Sequence, residues 1–340
     1  VASWIMHFDG GTWSVMLGED AGFEFGDVWG ASSSDVWVVQ DRIPPHMMHF
    51  DGSAWHEVEP PDVSWGGTMG PPYLEGIWGS SATDVFAVGG PGAILHYDGT
   101  AWSVMSSGTD ALLNAVGGSS PRNVYAVGED CTILHYDGSS WSPMATVFAR
   151  LYGVWGRSGA DRGPLDVYAV GWEFYEEGIP RGDGGIVPGM DRSAGYYGRG
   201  AIWHYDGTWW KSMDSGTDYA LRGVWGASNR NVFAVGRNGT IVHYDGRRWS
   251  RMNSGVTADL AASWGIPESD VFVVGAGGAI LHHTPVPRLT IRKQARPVGP
   301  VPYRGAITYT VVLGNEGTGS AAGAGTVHGP AGAGQYAGHQ

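Results

Sequence analysis

The apolar residues between Leu74 and Gly108 fall into four short runs separated by small and polar residues. The runs are 76–79, 84–89, 93–99 and 102–105, and Val, Ile and aromatic side chains dominate them. Ser, Thr, Asp and Gly occupy the positions between the runs. This composition predicts four β-strands, and no run shows the 3.6-residue period of a helix.

The second run is apolar on both of its alternating faces. Val85 and Ala87 point to one side of the predicted strand, and Phe86 and Val88 point to the other. A strand with this pattern is buried on both faces. The third run ends in Asp-Gly, a tight-turn signal between antiparallel strands. The unit is therefore predicted to be an antiparallel sheet covered on both sides.

Copies of this unit recur along the chain. Their first strands lie around Trp29, Trp78, Gly117, Trp155, Trp225 and Trp264. Four short antiparallel strands repeated about every 40 residues are typical of a β-propeller, in which each unit is one blade. We therefore predict an all-β fold, a six-bladed β-propeller of four-stranded antiparallel blades, over residues 1–284.

The two ends of the repeat region are incomplete in complementary ways. After strand 279–283, Thr284-Pro285 replaces the Asp-Gly turn, so the sixth unit lacks a fourth strand. The chain begins with a third and a fourth strand, 5–10 and 13–16. Because rings commonly close with a strand from the other terminus, we expect 13–16 to pair with 279–283. The alternative is a seven-bladed propeller without its first two strands.

Residues 285–340 have a different composition from the repeats. A Pro-rich linker, strand-like stretches at 289–293 and 306–313, and a Gly- and Ala-rich tail from Gly314 follow one another. We expect a short C-terminal β and Gly-rich extension whose end is poorly ordered. Since the chain starts at Val1 within a repeat, we also expect it to be a piece of a longer protein.

The net charge limits the expected partners, and the cysteine content limits the expected disulfides. The 340 residues carry a formal net charge of −13, which argues against nucleic acid and anionic membranes as partners. The only cysteine, Cys131, allows no disulfide framework and is expected to be a buried thiol. No apolar run reaches the roughly 18–20 residues that a membrane-spanning helix needs.

The repeat pattern VWGSS…DVFAVG…ILHYDG…W resembles a tandem repeat of large secreted or surface-attached bacterial proteins, grouped with sialidase-like, BNR-type propellers. The stretch from Asp98 to Trp102 is one residue tighter than the sialidase Asp-box. Residues 289–293, 307–311 and 315–317 resemble the opening of an Ig-like repeat of bacterial surface proteins. The resemblance implies an extracellular or cell-surface location, and it says little about activity.

A His-x-Asp pair recurs in the predicted third strands. Because the two side chains are two residues apart on a strand, they lie on the same face and could bind a metal. Because every blade carries the pair, we instead predict a structural role, in which Asp accepts turn amides and His fills a polar slot between blades. We predict no metal and no cofactor. The pairs are His7/Asp9, His49/Asp51, His96/Asp98, His135/Asp137, His204/Asp206 and His243/Asp245.

The first-strand tryptophans are also predicted to be structural. We expect them to pack near the ring centre. Gly117 interrupts the set, and we expect it to open a local pocket.

The copies differ mainly in four insertions. These are 40–46, 60–73, 172–200 and the shorter 157–165. Antiparallel strands place second-to-third loops and blade-to-blade linkers on one face, and first-to-second loops and Asp-Gly turns on the other. Three of the insertions therefore share one face, and loops on a rigid scaffold often carry recognition.

Aromatic and charged residues of these insertions are the candidate ligand-binding residues. Aromatic rings can stack on sugar faces, and carboxylates can accept hydrogen bonds from sugar hydroxyls. Packing of the long insertion on itself as an Ω-loop is the structural alternative. The candidates are Asp41, Arg42, Trp65, Trp172, Tyr175, Glu176, Tyr196 and Tyr197.

These observations favour a non-enzymatic extracellular binding or adhesion module for a glycan or protein ligand. One alternative is a sialidase-like glycoside hydrolase or lyase, which needs paired carboxylates or an Arg cluster with a Tyr nucleophile. The acids nominated for it are Glu173, Glu176, Glu177 and Asp41, with no catalytic role assigned. Another alternative is a subunit of a surface layer or filament that self-assembles through its terminal strands.

Overall fold

A computed structural model describes most of the propeller region and two strands beyond it. The described residues are 5–8, 12–17, 25–40, 46–65, 68–144, 147–157, 166–175, 197–266, 270–283, 289–296 and 308–315. Among them, no helix is long and apolar enough to cross a membrane.

Strands account for nearly all of the regular structure. An N-terminal hairpin and blade one comprise β1 (Ile5–Phe8), β2 (Trp13–Leu17), β3 (Phe25–Ser32), β4 (Asp35–Gln40), β5 (Met47–Phe50) and β6 (Trp55–Val58). A short hairpin and blade two comprise β7 (Val63–Trp65), β8 (Thr68–Gly70), β9 (Tyr73–Ser81), β10 (Asp84–Gly90), β11 (Ala93–Tyr97) and β12 (Trp102–Met105).

The remaining blades repeat this order. Blades three and four comprise β13 (Leu113–Ser120), β14 (Asn123–Gly128), β15 (Ile133–Tyr136), β16 (Trp141–Pro143), β17 (Arg150–Arg157), β18 (Asp166–Tyr175), β19 (Tyr197–Tyr205) and β20 (Trp210–Met213). Blades five and six and the tail comprise β21 (Leu221–Ser228), β22 (Asn231–Gly236), β23 (Thr240–Tyr244), β24 (Trp249–Met252), β25 (Leu260–Ile266), β26 (Asp270–Gly275), a 3-10 turn (Ala276–Gly278), β27 (Ala279–His283), β28 (Leu289–Arg296) and β29 (Thr308–Asn315).

Each blade is an antiparallel sheet whose strands follow sequence order. Blades one to five have four strands, and the described part of blade six has three, β25-β26-β27. First strands of successive blades pack side by side, β3 with β9, β9 with β13, β13 with β17, and β17 with β21. The prediction of an all-β, six-bladed β-propeller is confirmed.

The predicted closure of blade six by residues 13–16 is wrong. Strand β2 pairs with β1 in a separate two-stranded sheet, with Phe8 opposite Trp13. Their rings lie 5.2 Å apart, as Phe50 and Trp55 do at 5.3 Å in blade one. The local hairpin contact that joins third and fourth strands in blades one to five therefore outweighs pairing with a strand more than 260 positions away in the sequence.

The chain separates into two compact units. One comprises residues 1–264 and 273–281, and the other comprises 265–272 and 282–340. The domain boundary expected after residue 284 stays a prediction. In the second unit, β28 and β29 form an antiparallel hairpin in which Leu289 pairs with Asn315. The two strand-like stretches of the tail are thus strands with somewhat different bounds.

The hydrophobic core lies between the blades. Val85 and Ala87 are fully buried in a cluster with Trp37 and Met47 of blade one. Phe86, on the other face of the same strand, belongs to a cluster shared with blade three. Because each second strand serves two neighbouring cores, both of its faces must be apolar. This confirms that second strands are buried on both sides.

A histidine of the third strand supports each second strand. In blade two, Nε2 of His96 lies 2.8 Å from Oδ1 of Asp84, and the His96 ring stacks on Phe86 at 4.5 Å. Phe86 in turn packs against Tyr136 and Trp141 of blade three, at 5.4 and 5.8 Å. His96 therefore fixes the orientation of the ring that joins two blades.

The same pairing occurs in all six blades. The pairs are His49 with Asp35, His96 with Asp84, His135 with Asn123, His204 with Asp166, His243 with Asn231 and His282 with Asp270, at 2.6–3.1 Å. Each partner is the first residue of its second strand, so histidine does not pair with the aspartate two residues after it.

The aspartate of the Asp-Gly turn has its own role. Oδ1 of Asp98 accepts hydrogen bonds from the backbone N–H groups of Thr100 and Ala101 and from the Thr100 hydroxyl. These bonds lower the pKa of Asp98 from 3.8 to about 2. The prediction that this aspartate accepts turn amides is confirmed.

First-strand tryptophans pack on a glycine of the next blade. A Cβ built on Gly79 would lie 2.6 Å from Cη2 of Trp29, and one built on Gly226 would lie 2.7 Å from Cη2 of Trp155. At Gly117 a Cβ would lie 2.6 Å from the carbonyl oxygen of Val154. The backbone of blade four thus lies directly against Gly117, and the pocket expected there stays a prediction.

Blade one has a carboxylate where other blades have Gly or Ala. Asp27 Oδ2 accepts a hydrogen bond from the Ile77 N–H of blade two at 3.0 Å, and Oδ1 accepts one from the Val28 N–H at 2.8 Å. Burial outweighs these bonds and raises the pKa of Asp27 from 3.8 to about 6. The folded protein therefore binds a proton here more tightly than the unfolded chain does.

The contact between Trp29 and Gly79 predicts that a larger side chain at position 79 destabilises the fold. Gly79→Ala should lower the free energy of unfolding by about 1–3 kcal/mol, because the indole must move to admit a methyl group. Gly70→Ala is the control, since a Cβ there has nothing within 4 Å. Urea denaturation measures both, and equal stability of the two variants would contradict the packing described.

The histidine pairing predicts which substitutions of Asp84 are tolerated. Asp84→Asn should change the free energy of unfolding by less than about 1 kcal/mol, because blades three and five use asparagine at this position. Asp84→Ala should cost about 1–3 kcal/mol, since His96 loses its partner. Thermal and urea unfolding compare the two, and the reverse order would refute the proposed role.

Asp27 predicts a pH dependence of stability. Since its folded pKa is raised, its contribution is greatest at low pH and declines as pH rises from about 4 to about 6. We expect wild type to lose about 1–3 kcal/mol relative to Asp27→Asn across this window. Urea unfolding at several pH values tests this, with exposed Asp62→Asn as control. Parallel curves for wild type and Asp27→Asn would overturn the assignment.

Candidate functional site

Linkers and second-to-third loops form one surface, which we call the linker face. Backbone hydrogen bonds of 2.9–3.0 Å tie residues of these loops to the linkers. They run from Gly92 N–H to the Ala111 carbonyl, from Gly200 N–H to the Thr217 carbonyl, and from Gly239 N–H to the Ala258 carbonyl. The predicted sharing of one face by these two kinds of loop is confirmed.

The opposite surface, which we call the turn face, carries the Asp-Gly turns and the first-to-second turns. A Cβ built on Gly99 would lie 2.7 Å from Thr83 Cγ2, and one built on Gly52 would lie 2.8 Å from Ser34 Cβ. Turns of the two kinds thus touch each other in the same blade. Repetition dominates this face, since the same Asp-centred turn recurs.

Four of the eight predicted ligand-binding residues lie among the residues that the structure describes. Trp65 ends strand β7, Tyr175 ends β18, and Tyr197 begins β19 directly opposite Tyr175. Trp172 lies on β18 and is half-buried. The remaining four, Asp41, Arg42, Glu176 and Tyr196, lie outside the described residues.

The two ends of the blade-four insertion are strands, not loop. Residues 172–175 pair with 197–200 and lengthen the hairpin beyond the blade. A Cβ on Gly198 would lie 2.1 Å from Trp172 Cε2, so the indole covers this glycine. Sequence comparison with the shorter repeats hid this extension, although the aromatic composition of 172–175 is typical of strands.

An ion pair reinforces the lengthened hairpin. Arg199 Nε lies 2.6 Å from Glu173 Oε2, and their side chains are 22% and 12% exposed. The two residues are also direct cross-strand partners. Arg199 therefore holds the Glu173 carboxylate in an ion pair within the hairpin. The other acids nominated for hydrolysis, Asp41, Glu176 and Glu177, lie outside the described residues.

A β-bulge occurs at the same position in the first strand of blades one to five. The ladder skips one residue each time, for example between Leu113 and Ala115 and between Leu221 and Gly223. The skipped residues are Gly26, Glu75, Asn114, Tyr152 and Arg222. Bulges often redirect side chains at functional sites.

Four of these residues, Glu75, Asn114, Tyr152 and Arg222, we call the bulge set. Each lies near the start of its first strand, where the chain arrives from the linker face. Their side chains are an acid, an amide, a phenol and a guanidinium, whereas the residues before and after them repeat. Sequence reasoning missed them because it looked for insertions. The signal was a variable residue three positions before the repeated tryptophan.

Members of the bulge set contact neighbouring first strands. Asn114 Nδ2 donates a hydrogen bond to the Leu151 carbonyl of blade four at 2.8 Å. The guanidinium carbon of Arg222 lies 5.7 Å from the centre of the Tyr152 ring, within the range of a cation–π contact. The set therefore combines hydrogen-bonding groups of both charges along adjacent inner strands.

Exposed apolar side chains accompany the bulge set on the linker face. Phe148 and Tyr219 are 71% and 40% exposed, and each lies in the linker that precedes blade four or blade five. Met69, before blade two, is 62% exposed. Aromatic and Met side chains are enriched where proteins bind other proteins. The linker face therefore offers both apolar area and directed polar groups.

Metal chemistry finds little support in the part of the chain that the structure describes. No group of three or more His, Cys, Asp or Glu side chains is arranged to hold an ion there. Each repeated histidine already pairs with its Asp or Asn. The turn aspartates accept hydrogen bonds that lower their pKa, as in Asp98 and Asp137, and each is committed to its turn.

Comparisons with known proteins reveal similarity of fold. No family model matches the chain, and no curated protein matches it. The structure titled "YCF48 bound to D1 peptide" has a TM-score of 0.55 and 15% identity, covering 81% of this chain and 82% of that chain. YCF48 from Cyanidioschyzon merolae also has a TM-score of 0.55, with 18% identity and coverage of 81% and 86%.

A third similar structure, the RRP9 WD40 repeats, has a TM-score of 0.55 and 6% identity, and covers 77% of this chain and 76% of that chain. At these identities the likeness extends to the fold alone. This chain is therefore similar to propellers of the YCF48 and WD40 kinds, and one of those similar structures holds a peptide.

Proposed function

We propose that the chain is a non-enzymatic extracellular binding module whose linker face holds an extended segment of another protein. The bulge set is the observation that carries the proposal. Blades two to five share one framework, yet this position changes from acid to amide to phenol to guanidinium between a repeated Leu and a Gly or Ala. A residue that only stabilises the fold would be the same in each blade, as the histidine of the His–Asp pairs is. A residue that recognises a ligand would differ between blades.

The apolar residues of the linker face support the same conclusion. Phe148 and Tyr219 leave 71% and 40% of their surfaces exposed in two linkers of this face. Exposed aromatic side chains beside polar groups are typical of interfaces with other proteins. Binding of a peptide by the similar YCF48 fold makes this use of a propeller chemically reasonable.

The extracellular setting and the adhesive role rest on the repeat pattern and stay part of the proposal. A glycan is the competing ligand, because exposed rings can also stack on sugars. Hydrolysis and self-assembly are less well supported, since Glu173 is neutralised by Arg199 and β2 pairs locally with β1.

A peptide library displayed on phage tests the proposal. Peptides selected on the wild-type protein should bind the double variant Phe148→Ser/Tyr219→Ser at least about tenfold more weakly, because aromatic anchors dominate such contacts. Trp209→Ser is the matched control, since Trp209 is 67% exposed in the Asp-Gly turn of blade four on the turn face. Binding to the control should be unchanged.

Two results would overturn the proposal. Peptides that bind all three proteins equally would place the site away from the linker face, and a library with no enriched peptide would argue against peptide recognition. A glycan array run with the same variants covers the competing ligand. A glycan that requires Phe148 and Tyr219 would assign the face to carbohydrate.

A further inference from the structure

Arg222 differs from other arginines of the linker face in its pairing. Arg150 Nε lies 3.1 Å from Glu129, Arg199 Nε lies 2.6 Å from Glu173, and Arg237 Nε lies 3.9 Å from Asp259. Within the described residues, Arg222 has no carboxylate partner. Among the described residues, no carboxylate therefore balances its charge.

The Nε–H group of Arg222 is also buried, and none of the residues that the structure describes offers it a hydrogen-bond acceptor. A buried donor without an acceptor destabilises a fold, and the penalty is larger for a charged group. The fold does not require a charged residue at this bulge position, because blade one has Gly26 there. The framework does satisfy each third-strand histidine. The unsatisfied donor is consistent with an acceptor that arrives with a ligand.

The surroundings hold Arg222 in a fixed direction. Its backbone abuts blade four, because a Cβ on Gly153 would lie 2.6 Å from the Arg222 carbonyl oxygen. Its guanidinium lies over the Tyr152 ring at 5.7 Å. A guanidinium placed over a ring keeps the N–H groups at its edge available as donors, and such a planar fork matches a carboxylate bidentately.

We propose that Arg222 binds a carboxylate of the protein segment held on the linker face, with Tyr152 as the residue that positions it. This inference rests on the proposed function and names the chemistry of its ligand. The carboxylate belongs either to an Asp or Glu side chain or to a free C-terminus, since both offer the same two oxygens.

Charge balance favours a single carboxylate over a doubly charged anion. Arg222 supplies one positive charge, and Asn114 adds a neutral amide. Glu75 and Asp27 bring negative charge to the first strands of blades two and one, and the whole chain carries a net charge of −13. A phosphate would meet one cation among several acids, whereas one carboxylate is matched by one guanidinium.

Nuclear magnetic resonance of the Arg222 Nε–H signal tests the inference directly. The signal is assigned by its absence in Arg222→Lys. The probes are N-acetylglycylglycine, which has a free C-terminal carboxylate, and N-acetylaspartate N-methylamide, which has a side-chain carboxylate. N-acetylglycylglycinamide is the neutral control, and inorganic phosphate is the anion control.

A saturable shift of the signal with either carboxylate probe, and none with the neutral amide, supports the proposal. The probe that binds more tightly identifies the source of the carboxylate. No saturable shift, an equal shift with the amide, or equally tight binding of phosphate would overturn it. The last outcome would mean an adventitious ion only.

Variants separate binding by Arg222 from a purely structural role. Arg222→Gln should weaken the carboxylate probes at least about tenfold, measured at the Gly223 amide, because a charge-assisted pair is lost. Arg230→Gln, an exposed arginine on the turn face, should leave binding unchanged. Tyr152→Phe keeps the ring and should retain binding, whereas Tyr152→Leu should weaken it about threefold.

The two proposals fail in different ways. If the Phe148/Tyr219 double variant loses selected peptides but Arg222 ignores carboxylates, the linker face still binds protein segments and the inference about Arg222 is wrong. If Arg222 binds the carboxylate probes but no peptide depends on Phe148 or Tyr219, Arg222 recognises a small acid and the proposed function is wrong.

Discussion

One aromatic contact, repeated between blades, holds the propeller together. In the second strand of each blade an aromatic ring stacks on a histidine of its own blade, as Phe86 does on His96. From blade one to blade four the same ring packs against a Tyr and a Trp of the next blade, as Phe86 does against Tyr136 and Trp141. No blade can bury its own two faces, so each depends on its neighbours, which is the usual logic of repeat folds. The polar His–Asp bond keeps the ring in place and connects the turn face to the core.

Because these contacts stabilise the fold, residues of the linker face can vary. The residues that stabilise the fold are the second-strand rings, the histidines and the turn aspartates, and all of them repeat. In blades one to five, a first-strand bulge takes one residue out of the ladder at the linker-face end, so no residue of the second strand lies directly opposite it. Asn114, Tyr152 and Arg222 can differ from one another without disturbing the framework. The same scaffold can therefore carry different recognition chemistry, as propellers with similar folds do.

The described chemistry favours binding over catalysis. Hydrolysis of glycosides needs two carboxylates in different environments, and Glu173 is held in an ion pair with Arg199. Turn aspartates such as Asp98 have a lowered pKa because they accept hydrogen bonds within their own turns. By contrast, Arg222 presents an unsatisfied charged donor beside an aromatic ring, and exposed aromatic residues lie on the same face. These are the elements of a non-covalent interface with an acidic group of the ligand.

The sequence alone determined the propeller and the sorting of loops between two faces, because strand alternation and Asp-Gly turns are local and recur along the chain. It favoured six blades and left seven as an alternative. It also predicted the structural role of the turn aspartates. Only the tertiary structure decided how β2 pairs, what fills the space at Gly117, and that His96 bonds to Asp84 and not to Asp98. The bulge set likewise emerged only in three dimensions. Each of these depends on which distant backbones come together, and a one-residue change of register reverses the face on which a side chain lies.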